Sequence, residues 1–257
     1  MERTAATVAD LVAYGIAHAD SFANAVGNEW GEITSFVPEF AVFPVSRYLT
    51  MQKYISGRAS SDLQIVELGA GFTPLSHSLA DRVSQWVEVD LPNNSALKQK
   101  ISNDLNSPKN ITYLAGDALT QDVWNYVNLT LDANKPTIIF SCGLISQYFN
   151  SSQKDLLASY AKSQLVKQGS VLLIEDTLQN HPELENETII NAGCEKIRKT
   201  SGNDLYGRIF HPWMNEKLAW HQRGFFVAAI PYVIPQMQGN YLVNNFKFIT
   251  CTTGGTQ

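Results

Sequence analysis

Three carboxylates and a pair of glycines stand where chemistry could be done. In IVELGAGFTPLSHSLA, residues 65–80, an apolar run leads through Glu67 into Gly69 and Gly71, and Thr73-Pro74 then opens a helical pattern. Glycines after a strand let the backbone approach a ligand, and a helix start favours negative or polar groups. Asp90 closes a second apolar run, about where an acid that holds a nucleoside ribose is expected. Asp117, in AGDAL, follows a third run and offers a carboxylate and neighbouring N–H groups to an adenine edge. Glu67 precedes the turn, a place suited to a cationic ligand rather than a pyrophosphate. A dinucleotide turn, Gly-x-Gly-x-x-Gly, is matched at Gly69 and Gly71 but meets Pro74 at its third glycine.

Candidate acids and bases lie further along. His211, close to Trp213 in NDLYGRIFHPW, could titrate near neutrality in a partly apolar pocket. Gln147 and Tyr148, in SQYF, follow the fourth apolar run, and Glu175 and Asp176 end the fifth. His77 is expected on the surface of the helix after the glycine turn, while His18, His181 and His221 offer no reason to be chosen. No second matched set of acids accompanies Glu175 and Asp176, so no metal is expected. Cys142, Cys194 and Cys251 are odd in number and scattered, which suggests neither a disulfide framework nor a thiolate metal site.

These residues need elements to position them. Residues 1–57 read as helical: Val8, Leu11, Val12, Ile16 and Phe22 recur at helical spacing in one amphipathic stretch. A second helix is expected after Pro38 and Pro44, ending at Gly57. From about residue 62, strands apolar throughout (LQIVEL, QWVEVDLP, NITYLAGD, KPTIIFSCG, SVLLIEDTL) alternate with helical patterns. That alternation means a parallel sheet covered on both faces. Residues 178–223 are polar and loop-rich. GFFVAAIPYVI and NNFKFITCT follow with no long helix between them, so they should form an antiparallel hairpin at the sheet edge. The expected class is α/β, a doubly wound, mostly parallel sheet of seven strands.

Bulk properties narrow the partners. The 257 residues carry 19 basic and 24 acidic side chains, a net charge of -5, with no Lys/Arg stripe. This argues against nucleic acid and for a small-molecule or protein-bound substrate. No apolar run reaches the roughly 18 residues that span a bilayer, and the first residues lack a basic-then-apolar leader pattern. A cytoplasmic location and no membrane partner are expected.

Taken in order, VELGAGFTP, VEVDLP, LAGDAL, IIFSCGLISQYF and LLIEDTL resemble a class I S-adenosylmethionine-dependent methyltransferase, over roughly residues 62–177 and 225–251. VELGAG with WVEVDLP looks more narrowly like the leucine carboxyl methyltransferase-like branch, which includes polyketide and other small-molecule methyltransferases. The resemblance implies a Rossmann-like domain over 58–257, an N-terminal helical cap over 1–57, and a substrate lid inserted over 178–223. Glu67, Gly69, Ala70 and Gly71 would then line the methionine part of the cofactor. Asp90, with Leu91 beside it, would take the ribose. Asp117 and Ala118 would hold the adenine above Ser141 and Cys142, and Arg47, in FPVSRYLT, would pair with the cofactor carboxylate. His211 and Tyr148 would be the catalytic candidates. The implied reaction is methyl transfer to a hydroxyl or carboxylate of a small-molecule or carrier-bound acceptor of natural-product type, releasing S-adenosylhomocysteine, with a homodimer among the expected states. Alternatives are a protein or peptide carboxyl methyltransferase, an NAD(P)-dependent oxidoreductase, and a non-catalytic cofactor-binding subunit.

Overall fold

A computed structural model describes residues 6–18, 20–30, 38–178, 213–233 and 246–254. Five parallel strands come first: β1 (Gln64–Leu68), β2 (Gln85–Asp90), β3 (Ile111–Ala115), β4 (Thr137–Ser141) and β5 (Val171–Leu178). β6 (Phe226–Pro231) and β7 (Phe246–Thr252) complete a seven-stranded sheet of order β3-β2-β1-β4-β5-β7-β6. Central β1 and β4 are buried along their whole length, while edge strand β6 alternates between exposed and half-buried residues. The expected hairpin is present: β7 runs antiparallel to both β5 and β6. Its second strand lies innermost, and that leaves β6 at the edge. β7 is the better choice for the interior because Phe248, Ile249 and Cys251 are fully buried, whereas Phe226 of β6 is 64% exposed.

The helices depart from the sequence reading in three places. The single amphipathic stretch is two helices, α1 (Ala6–Ala17) and α2 (Ser21–Trp30). Asp20 causes the break, since its Oδ1 accepts the Ala23 N–H at 2.8 Å and so caps α2. α3 (Pro38–Ser56) starts at Pro38 and carries Pro44 inside it rather than beginning after it. Proline in a helix forfeits a hydrogen bond, and here the tertiary burial of Val45, Tyr48, Met51 and Ile55 against Ile65, Leu75, Phe140 and Phe248 outweighs that loss. Lastly, residues expected to be loop form α9 (Trp213–Gln222). Trp220 on α9 is fully buried with Phe225, Ile249 and Cys251 and belongs to the sheet core. Glu216 ties α9 down by accepting from Lys154 at 2.7 Å, and within the helix it accepts from Trp220 Nε1 at 3.1 Å.

The crossovers supply α4 (Leu75–Leu79), α5 (Pro92–Asp104), α6 (Gln121–Thr130), one-turn α7 (Ile145–Tyr148) and α8 (Ser151–Gln164). Asn150 and Gln153 form a reciprocal capping box at the start of α8. Strand order reverses at β1, between β2 and β4, which opens a crevice beyond the carboxyl ends of the strands. No described helix is long and apolar enough to cross a membrane.

Candidate functional site

The glycine turn lies at that reversal, and its conformation explains both glycines. Gly69 and Gly71 have φ of +62° and +48°, the left-handed region that side chains with a Cβ rarely adopt. A Cβ on Gly69 would also sit 3.1 Å from the Leu144 side chain, so the turns after β1 and β4 meet there. The turn is clamped onto β2. The Val89 carbonyl accepts from Gly69 N at 2.8 Å and Ala70 N at 3.2 Å, and Asp90 Oδ2 accepts from Gly71 N at 2.6 Å. Three consecutive amides are therefore engaged within the fold, in contrast to a cradle whose N–H groups point at a pyrophosphate.

Asp90 is the hub of this clamp. Its Oδ1 accepts from Leu91 N at 2.7 Å and from Asn94 Nδ2 at 2.9 Å, in addition to the Gly71 bond. Three of the about four acceptor positions of a carboxylate are filled. Asp117 is exposed; its Oδ1 accepts Leu119 N at 2.9 Å, which shapes the bend after β3. Ala118 is buried, and its carbonyl accepts Trp124 Nε1 at 2.8 Å.

Glu67 was expected to face a cationic ligand, yet its carboxylate is turned into the interior under the turn. It is fully buried, with Oε1 accepting Thr73 Oγ1 at 2.6 Å and Oε2 accepting Trp86 Nε1 at 3.2 Å. Two residues absent from the sequence reading complete the neighbourhood. Glu88 is the register partner of Glu67 on β2, and Lys98 of α5 is ion-paired to it at 2.8 Å. The available sequence signal was an acid inside an otherwise apolar strand, two residues before Asp90.

Burial, reinforced by Glu88, pushes the Glu67 carboxyl up to about 8, against the opposing pull of Lys98 and its two hydrogen bonds. The folded chain therefore holds a proton that the unfolded chain loses above its ordinary 4.5. That contribution is complete below about pH 4.5 and is lost as pH rises through about 8, at most about 1.4 kcal/mol per pH unit. Thermal melts should show a midpoint that falls from about pH 6 to about pH 8, and falls less in Glu67→Gln. Parallel curves for the two proteins would remove Glu67 as the source.

A second cluster gathers at the ends of β4 and β5. Glu175 and Asp176 together oppose Phe248 alone, a bulge of the kind that re-aims side chains next to functional sites. Glu175 is fully buried and accepts Ser141 Oγ at 2.6 Å. The same hydroxyl oxygen accepts Leu144 N and Ile145 N at 3.3 Å, so Ser141 anchors α7. Arg47 of α3 is 4% exposed rather than solvated, and it interacts electrostatically with Cys142, Tyr148 and Tyr232. Tyr232, just past β6, shares a hydrogen bond with Arg47, and Thr50 one turn on accepts Val233 N at 2.8 Å. Sequence reasoning missed Tyr232, which lies 185 positions from Arg47 (232 minus 47) and carries no local signal.

Burial raises the Tyr148 phenol above its usual range, with Arg47 pulling the other way. A neutral phenol there is a hydrogen-bond donor at neutral pH. His77 is half-buried rather than exposed, bonded to Ser107 Oγ at 2.6 Å. His18 and His221 face backbone carbonyls of Tyr14 and Phe225. His211 lies outside the described residues, as do Tyr206 and Phe210 and the side chains of Gln147, Asp176 and Trp213. A cavity of about 140 Å³ sits between the N-terminal helices and the turn, lined by Val12, Tyr14, Asp20, Tyr48, Phe72 and Pro74 among others.

With this geometry the fold is that of the S-adenosylmethionine-dependent methyltransferases: a parallel β1–β5 sheet with β7 inserted antiparallel beside β5. Among solved structures, the chain is similar to a mitomycin 7-O-methyltransferase (TM-score 0.56, 12% identity, 84% of this chain and 56% of that one). It is also similar to a magnesium protoporphyrin IX methyltransferase from Synechocystis solved with bound S-adenosylhomocysteine (TM-score 0.56, 12% identity, 90% and 94%). A third is an N,N-8-amino-8-demethyl-D-riboflavin dimethyltransferase from Streptomyces davawensis (TM-score 0.54, 13% identity, 82% and 55%). The chain spans little over half the length of the first and third. No family model matches the sequence, and no curated protein matches it.

Proposed function

We propose that the protein is an S-adenosylmethionine-dependent methyltransferase that methylates an oxygen, hydroxyl or carboxylate, of a small-molecule or carrier-bound acceptor. The carrying observation is the clamped glycine turn, whose Gly69, Ala70 and Gly71 amides are bound to Val89 and Asp90, set in a sheet with an inverted β7. A dinucleotide would want those amides free. The residues present fit the donor: Asp90 for the ribose, Asp117 and Ala118 for the adenine with Cys142 nearby, and buried Arg47 for the amino-acid carboxylate. Bound there, the donor would supply an electrophilic methyl group. The chain's part is to orient the acceptor in line with that methyl and to exclude water.

Tyr148, as a neutral phenol, would donate to the acceptor oxygen, and His211 is the candidate base. The cavity beside the turn supports giving the N-terminal helices a share in acceptor recognition. The cap, lid and homodimer of the sequence reading belong to this same proposal.

Calorimetry should show binding of S-adenosylhomocysteine and none of NADH; the reverse result would turn the site into an oxidoreductase's. Turnover of labelled methyl groups into extract components tests catalysis, and its absence with every acceptor would favour a non-catalytic subunit. Tyr232→Phe should weaken S-adenosylhomocysteine binding by about 1 kcal/mol, roughly fivefold, because Arg47 loses a charge-assisted partner. An unchanged dissociation constant would remove the Arg47–Tyr232 pair from the donor site.

A further inference from the structure

Beneath the glycine turn the sheet carries more negative charge than it neutralises. Glu67 and Glu88 are register partners on parallel β1 and β2, so their side chains stand on one face of the sheet. They are 0% and 2% exposed, and the one ammonium among them, Lys98, is 1% exposed. Lys98 Nζ lies 2.8 Å from Glu88 Oε1 and 3.4 Å from the Ala70 carbonyl. The cluster is thus fastened to the turn twice, through Lys98 to Ala70 and through Glu67 to Thr73. Two buried carboxylates against one cation leave a surplus charge away from water, which a proton or a ligand's cation must neutralise.

Among the described residues, the other groups acting on this pair do not supply that cation. Tyr113, the register partner of Glu88 on β3, and Cys142 after β4 are both held neutral by burial. Asp90 adds a further negative field at Glu88, while Arg47 acts at Cys142. Burial also holds the Glu67 carboxyl above its usual range.

We infer that the Glu67–Glu88–Lys98 cluster is the countercharge for the cationic end of the methyl donor, favouring S-adenosylmethionine over S-adenosylhomocysteine. The inference rests on the donor reading above. The cluster holds one proton while the turn is empty and gives it to solvent when the sulfonium arrives. The Glu67 oxygens are already bonded to Thr73 and Trp86, so Glu67 acts through its field. Glu88 and Lys98 are positioning residues that set how much charge it must carry.

Calorimetric titration with S-adenosylmethionine in two buffers of different ionisation enthalpy reads the proton directly. At about pH 7 the wild type should release roughly one proton, and S-adenosylhomocysteine, with one positive charge fewer, should release less. Donor affinity should rise roughly tenfold per pH unit from about pH 6 towards about pH 8. Glu88→Gln leaves a matched Glu67–Lys98 pair, so its donor binding should be independent of pH and release no proton. Should that variant fail to fold, Glu67→Gln should abolish the release in the same way. Wild-type binding without proton release, equal release by both ligands, or release that persists in the variants would overturn the inference. Binding of neither ligand at any pH would overturn the donor reading itself, and this inference with it.

Discussion

Lys98→Met should destabilise the folded chain by about 3–5 kcal/mol at neutral pH, the range for removing one partner of a buried ion pair. The cost arises because Glu67 and Glu88 are 0% and 2% exposed and lose the one ammonium between them. A Met side chain can fill most of the volume left by the lysine stem, so lost packing is a minor part of the effect. The penalty should shrink at about pH 5, where both carboxyls can take up protons, and that pH dependence separates charge from shape. Lys98→Met combined with Glu88→Gln should recover part of the loss, since one acid then remains to be protonated. Denaturant melts that match the wild type at neutral pH would show that the pair carries little.

Asp90→Ala should weaken binding of S-adenosylhomocysteine by about 2–3 kcal/mol, roughly 30- to 150-fold, through loss of a charge-assisted bond from the ribose to the one acceptor position of Asp90 that the fold leaves open. The structure adds a second consequence. Asp90 also holds Gly71 N at 2.6 Å, Leu91 N at 2.7 Å and Asn94 Nδ2 at 2.9 Å, so the alanine variant loosens the turn that seats the other end of the donor. Asn94→Ala removes one of these donors without touching the acid, and it should leave binding within a few-fold of the wild type. Titration showing a wild-type constant for Asp90→Ala would end the ribose assignment.

Much of the architecture was legible because it is local. Apolar runs of strand length separated by helical patterns determine a parallel sheet covered on both faces, whatever the rest of the chain does. Two β-rich runs with no long helical pattern between them point to antiparallel pairing, because a parallel pair would need a crossover that is usually helical. Gly69 and Gly71 were legible as a turn between strand and helix where the backbone can approach a ligand, and their positive φ angles supply the steric reason for both glycines. Asp90 was legible from its place at the end of β2.

The misreadings have a shared cause. A helical period was continued across Asp20, where a side-chain cap ends one helix and starts another. Pro44 was given its usual punctuating role, but burial of α3 against the sheet overrode it. α9 carries little periodic signal, and it is held by Glu216 and Trp220, whose partners Lys154 and Ile249 lie far away in sequence.

By itself, then, the sequence determined the α/β class, the parallel core, the reversed hairpin and the glycine turn at the mouth of β1, because each follows from periodicity or backbone sterics over a few residues. Only the tertiary structure decided that β7 lies inside β6, that Arg47 meets Tyr232, and that Glu67 turns inward beside Glu88 and Lys98. Those are matters of strand register and burial. A charge in a strand reads the same in sequence whether water or a second carboxylate stands beside it, and the difference appears only when the sheet closes over it.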